Sequence, residues 1–265
     1  MSNNSDLAIV ILAAGKGTRM KSCLPKVMHK IAGRPMLGWL VESCEALNPE
    51  KLICVTAPDM QGVVDAVSPH QVVFQTEQNG TGDAVKPALE HLKDFKGRVL
   101  ILLGDEPFID LDVVRDMIAY DNIAAMSVTL DEPTGMGRMV VDDDGFLKCI
   151  VEEKDCTDEQ RQIKICNSGN YCIPADKLEH WIHKITNDNA QGEYILTDLP
   201  ELAAKDGVKT KMFNADAVIG WGINNRIQLA AHEKQAQNIL RERAMLNGVT
   251  MICLLYTSPS PRDRG

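Results

Sequence analysis

The chain has no surplus of positive charge. Its 28 lysines and arginines are outnumbered by 37 aspartates and glutamates, for a formal net charge of −9. Nucleic acid and anionic membrane surfaces need a basic excess on their partner, so neither is expected to bind here. Long apolar runs are also missing. Leu7 to Ala14 is too short to span a bilayer, and Met1 to Asp6 lacks the positive segment of a secretory signal. A cytoplasmic location is the expectation. No CxxC pair occurs among the eight cysteines (Cys23, Cys44, Cys54, Cys149, Cys156, Cys166, Cys172 and Cys253). Several lie in apolar segments where a thiol packs as a small hydrophobe, so reduced, structural cysteines are expected. The GxSxG nucleophile signature is absent, which argues against a covalent serine mechanism. His180 and His183 have no evident third metal ligand and read as packing or surface residues.

What is present is a core and an alternation. Of 265 residues, 45% are hydrophobic, enough for one large domain or two small ones. Short apolar runs recur at 7–12, 52–56, 72–75, 99–103 and 124–130, and the first four are separated by segments with apolar residues at three and four spacing. The pattern predicts helices over 36–47, 60–67, 81–92 and 111–120, with Thr81 as an N-cap. It implies an α/β fold of Rossmann-like type, a mostly parallel sheet flanked by helices. After Leu130 the texture changes. Residues 139–141 and 146–151 flank Asp142-Asp143-Asp144-Gly145, a turn that suits a hairpin, since the spacing and closing glutamate of a calcium loop are missing. A strand over 167–173 and helices over 175–185 and 197–205 complete a body with a small, partly antiparallel insertion. A long charged helix over 227–246, closed by Gly248, reads as a connector. Residues 254–263 follow no helical or strand period and resemble translated sequencing-adapter read-through.

The first apolar strand runs into Gly15-x-Gly17-x-Arg19, with Lys26 behind Pro25. A glycine turn at the carboxyl end of a strand points backbone N–H groups into the crevice where open α/β sheets bind ligands. The dinucleotide fingerprint fails because Met20 stands where its third glycine belongs. The ATPase loop fails because Met20 and Lys21 stand where its glycine and lysine belong. What remains is exposed amides, a guanidinium able to grip two oxygens and a lysine point charge, a set suited to a di- or triphosphate. A second strand, 99–103, ends in Gly104-Asp105-Glu106-Pro107, which places Asp105 where a hard cation bound to phosphates would sit.

Nine segments carry a resemblance. They are LAAGKGTRM (12–20), LPKVMHKIAGRPM (24–36), QTEQNGTGDA (75–84), LLGDEP (102–107), DEPTGMGR (131–138), IVEEKDCTDEQRQI (150–163), CNSGNY (166–171), NAQGEYILTD (189–198) and GINNR (222–226). Taken together they resemble the sugar-nucleotidyltransferases, and more narrowly the bacterial bifunctional N-acetylglucosamine-1-phosphate uridylyltransferase/glucosamine-1-phosphate acetyltransferases. The resemblance implies transfer of a uridylyl group from UTP to N-acetylglucosamine 1-phosphate with Mg²⁺. The products would be pyrophosphate and UDP-N-acetylglucosamine, a precursor for peptidoglycan and lipopolysaccharide. Carried over by motif, Leu12, Ala13, Ala14 and Gly15 meet the uridine part and Gly17 the nucleotide, while Arg19 and Lys26 act on the phosphates. Gln75, Gly80 and Thr81 line the nucleotide pocket. Leu103 and Gly104 belong to the substrate set beside Asp105. Gly137, Glu152 and Asn167 bind the sugar side, and Asp105 with Asn224 holds magnesium. Glu193 and Tyr194 are left without a role.

Leu103 and Met136 each stand where the family commonly has tyrosine. The family's second half, a left-handed β-helix of hexapeptide repeats that acetylates glucosamine 1-phosphate and forms a homotrimer, has no counterpart here. The expected organisation is a nucleotidyltransferase domain over 1–226, a connector helix over 227–250 and a non-native tail over 251–265. Acetyltransferase activity is not expected, and nothing in the residues present calls for the trimer. Two alternatives stay open: a sibling transferase using glucose 1-phosphate or dTTP, and a nucleotide-sugar sensor without catalysis.

Overall fold

The computed structural model describes residues 4–216 and 222–251. Cys253 and nearly all of the proposed tail lie outside the described residues. Eleven strands are described: β1 (Asn4–Leu12), β2 (Lys30–Ile31), β3 (Arg34–Pro35), β4 (Pro49–Thr56), β5 (Gln71–Phe74), β6 (Arg98–Leu103), β7 (Ala124–Thr129), β8 (Arg138–Val141), β9 (Leu147–Val151), β10 (Ile165–Pro174) and β11 (Lys211–Ala215). The helices are α1 (Met36–Glu45), α2 (Gln61–Val67), α3 (Thr81–Leu89), α4 (Leu111–Ala119), α5 (Asp158–Arg161), α6 (Ala175–Lys184), α7 (Leu199–Lys205) and α8 (Arg226–Leu246).

The main sheet runs β11-β7-β10-β6-β1-β4-β5. The pairs β6–β1, β1–β4, β4–β5 and β11–β7 are parallel, while β10 is antiparallel to both its neighbours. Parallel strands covered on both faces need apolar residues at every position, and β1 shows it from Leu7 to Leu12. Leu7, Ile9 and Ile11 enter one buried cluster with residues of α1, α2 and α4; Ala8, Val10 and Leu12 enter another with residues of α3, α6 and α7. At ~1.5–3 kcal/mol for each large aliphatic side chain removed from water, this strand anchors the fold.

The chain passes from β1 to β4 and β5 on one side, then returns to place β6 on the other. Such a reversal opens a crevice at the carboxyl ends of the two central strands. Here those ends are in register, with Leu12 opposite Leu103.

The acidic turn forms the β8–β9 hairpin. Asp142 Oδ1 accepts from the backbone N–H groups of Asp144 (3.0 Å) and Phe146 (2.8 Å), so this carboxylate organises the turn itself. Thr81 is not the cap of α3: Gly80 takes that position, and the Thr81 hydroxyl instead accepts from Leu196 N–H at 3.0 Å. The long helix is more than a connector. Its first half buries His232 and Ala236, and Glu233 accepts from Ala32 N–H at 2.6 Å, fixing α8 to the β2–β3 hairpin. Gly248, with φ +91°, closes it. No helix among the described residues is long and apolar enough to cross a membrane.

Candidate active site

The loops after β1 and β6 leave the sheet side by side, held by Gly104 N–H donating to Leu12 carbonyl at 2.9 Å. A Cβ at Gly104 would press on that carbonyl and on Ala13, so glycine permits the close approach. Beyond Gly15 the chain turns through Gly17 (φ +60°) into a 3₁₀ turn, Thr18–Met20, anchored by the fully buried Met20. A side chain on Gly17 would collide with Lys26 Cβ. The glycine thereby seats the lysine against the loop.

Two cavities open here. One of about 510 Å³ is bounded by Leu12, Ala13, Ala14, Gly15, Gly17, Arg19, Lys26, Gln75, Gly80 and Thr81. The other, about 310 Å³, is bounded by Gly137, Glu152 and Asn167, with Glu106, Tyr171 and Thr197. Both share Thr81, Leu103, Asp105, Glu193 and Asn224. The candidate residues named from sequence thus fall on one two-lobed cleft, except Gly104, which supports it from behind.

At the junction, Lys26 Nζ forms an ion pair with Asp105 Oδ2 and donates to Asn224 Oδ1 at 3.2 Å. Arg19 donates to the same amide oxygen at 2.8 Å. A carboxylate and an amide oxygen are hard donors, and the ammonium already lies against both, as a cation would. Magnesium usually takes one or two protein oxygens and completes its shell with phosphates and water, so Asp105 and Asn224 fit it. No group of three or more His, Cys, Asp or Glu placed to hold a metal occurs among the described residues.

In the second lobe, Asn167 Oδ1 accepts from Gly169 N–H (3.1 Å) and the Tyr171 hydroxyl (3.2 Å), and Asn167 N–H donates to Gly137 carbonyl at 2.9 Å. Register slips in β10 between Asn167 and Tyr171, with Gly169 at φ +96°. Such bulges re-aim side chains beside sites. Burial pushes Glu152 above the ordinary carboxylate range, helped by nearby Asp155 and Asp198 and opposed by a hydrogen bond with Thr197.

A family model for the MobA-like NTP transferase domain matches residues 9–155, which carry β1, the glycine loop and Asp105. The chain belongs to this family. It is 43% identical over 249 residues to the bifunctional protein GlmU of Neisseria meningitidis serogroup C, covering 92% of this chain and 54% of that protein. With GlmU of Pseudomonas aeruginosa the identity is 43% over 252 residues, 93% and 55% of the two chains. With GlmU of Paramagnetospirillum magneticum it is 41% over 255 residues, 94% and 57%. The chain therefore spans about half the length of the curated relatives it matches.

This NTP transferase also draws on residues to which the sequence analysis assigned no role. Gln78 donates to Ala14 carbonyl at 2.7 Å, tying the glycine loop to the segment before α3. Tyr194 carbonyl accepts from Gly82 N–H at 2.8 Å, and Tyr194 N–H donates to Asn79 carbonyl at 2.8 Å. Gln228 Oε1 accepts from Asn224 N–H at 2.7 Å and so fixes that asparagine. Glu106, buried beside Asp105, accepts from Asn170 Nδ2 at 2.5 Å. Burial and the Asp105 charge hold its carboxyl well above the usual range. All but the Asn224–Gln228 contact join segments far apart in sequence. Only the short polar runs around them hinted at a role.

Proposed function

We propose that the cleft takes UTP in the larger lobe and N-acetylglucosamine 1-phosphate in the smaller one, and joins them into UDP-N-acetylglucosamine with release of pyrophosphate. The observation that carries this reading is that the two lobes meet at Asp105 and Asn224. A sugar phosphate in one lobe then faces the α-phosphate of a nucleotide in the other. The choice of these two substrates comes from the sequence resemblance, and the similarity to GlmU proteins supports a nucleotidyl transfer of this kind.

The nucleophile is already a phosphate oxygen, so no side-chain base has to remove a proton. The protein's work is alignment and charge neutralisation. Amides of the glycine loop and the guanidinium of Arg19 hold the triphosphate, and Lys26 stabilises charge on the transferring and leaving phosphates. Asn167 and Glu152 orient the sugar, and Gln75 faces the base. Asp105 and Asn224 would hold magnesium, which when bound would supply positive charge to offset that of the phosphates. Holding both reactants in line can supply about 7–11 kcal/mol of barrier lowering, consistent with a cleft rich in glycine and amides.

The test is pyrophosphate release by the purified chain with Mg²⁺, crossing UTP and dTTP with N-acetylglucosamine 1-phosphate and glucose 1-phosphate. Release confined to UTP with the N-acetylated sugar supports the reading. Release with another pair makes the protein a sibling transferase. Sugar-nucleotide binding without release makes it a sensor.

A further inference from the structure

The two oxygens assigned to magnesium arrive on distant parts of the chain. Asp105 follows β6, and Asn224 precedes α8. Backbone contacts fix both segments, one of them joining the two. Ile223 N–H donates to Asp105 carbonyl at 3.1 Å, Asn224 N–H is held by Gln228, and Asn225 caps α8 by accepting from Gln228 N–H at 2.9 Å. What spans the two side-chain oxygens is the Lys26 ammonium. Its side chain and that of Asp105 are 15% and 14% exposed, so water screens the pair weakly.

The lysine's stem is seated by its own loop, while its tip is held by Asp105 and Asn224. Pro25 precedes it, its carbonyl accepts from His29 N–H at 3.2 Å, and its Cβ lies against Gly17. None of those three contacts involves the ammonium. The same ammonium borders the larger lobe, where the triphosphate would lie.

We infer that Lys26 is a place-holder for the divalent cation. In the free protein it keeps Asp105 and Asn224 assembled and occupied. The triphosphate draws the ammonium onto its own oxygens, and the vacated pair receives the cation that accompanies the nucleotide. Metal therefore binds the free protein weakly and the nucleotide complex tightly. The inference rests on the assignment of Asp105 and Asn224 made above and adds an order to their filling.

The sign of the expected effect separates this from an ordinary structural role. Lys26→Met keeps the stem that packs on Gly17 and removes the ammonium. With Mn²⁺ as the probe, followed by its electron paramagnetic resonance signal in the absence of nucleotide, Lys26→Met should bind roughly tenfold more tightly than the wild type. That is the factor recovered when a competing state holding nine-tenths of the population is removed. Adding UTP should tighten binding to the wild type by a larger factor than to the variant, since phosphate oxygens add ligands in both and only the wild type also gives up its ammonium. Lys16→Met deletes an equal charge from the wall of the larger lobe but leaves the Lys26–Asp105 pair, and should gain less than about threefold, as for a screened charge. Asp105→Asn on the Lys26→Met background should abolish the gain. Circular dichroism checks the fold, and Lys26→Gln replaces the methionine variant if that one does not fold.

Binding of Mn²⁺ by Lys26→Met no tighter than by the wild type would overturn the inference. So would an equal gain in Lys16→Met, which would reduce the effect to charge alone. If the wild type released no pyrophosphate with any substrate pair while the Mn²⁺ results held, the functional reading would fall and the place-holder would stand.

Discussion

Two carboxylates divide the work of the cleft. Asp105 sits at the junction of the lobes against Lys26, so Asp105→Asn should lower Mg²⁺-dependent pyrophosphate release by about 10²–10³-fold, the cost of losing one preorganised electrostatic contact. The far-ultraviolet circular dichroism should not change. Near-normal turnover at saturating Mg²⁺ would remove Asp105 from the metal. Glu152 lies in the smaller lobe with its carboxyl raised by burial. A raised carboxylate binds its proton more tightly folded than unfolded, so its ionisation opposes folding; the opposition is absent below the unfolded value and complete above the folded one. At neutral pH, Glu152→Gln should therefore raise Tm while weakening the hold on the sugar, with KM for the sugar phosphate up about tenfold. In the wild type that KM should climb as pH falls, beginning above the ordinary carboxylate range, and the glutamine variant should flatten the profile. Asp105 was legible in the sequence because a carboxylate ended an apolar run. Glu106 was not, because its meaning depends on Asn170 arriving from another strand.

Among the elements, the clasp on α3 shows where local reasoning stops. Thr81 has the chemistry of a helix cap, yet Gly80 precedes the helix at φ +111° and Thr81 reaches across to Leu196 instead. A Cβ on Gly80 would strike the Tyr194 carbonyl, a backbone atom that cannot swing aside. Gly80→Ala should cost about 1–3 kcal/mol of stability and raise KM for UTP more than KM for the sugar phosphate, since the clasp borders the larger lobe. Thermal melts and steady-state kinetics check both; an unchanged melt would mean that the clasp yields freely. The strands over 7–12, 52–56, 99–103 and 124–130 were readable because burial on both faces favours nearly unbroken apolar runs, whereas that over 72–75, an edge strand with Phe74 exposed, was readable from its short apolar run alone. β11 was not, since its buried residue, Ala215, sits among exposed and half-buried ones. The bulge in β10 escaped notice because only the partner strand reveals a slip in register.

At the scale of the molecule, a sheet that reverses at β1 sets two loops side by side, and the hairpin, β10 and the start of α8 close the second lobe around them. α8 contributes Asn224 through its N-terminal approach and packs through its first half, whereas Leu246 and Val249 beyond it stand exposed. Ending the chain at Gly248 should thus preserve the fold and pyrophosphate release. Lost activity with a lowered melt would show that later residues pack on the body. If both substrates react directly across the shared junction, following all phosphorus at once will show it. In ³¹P nuclear magnetic resonance of the chain with UTP, N-acetylglucosamine 1-phosphate and Mg²⁺, the sugar monoester signal should fall as pyrophosphate and the sugar-nucleotide diphosphate rise in equal amounts. Pyrophosphate appearing while the monoester persists, or a spectrum that does not change, would contradict the account.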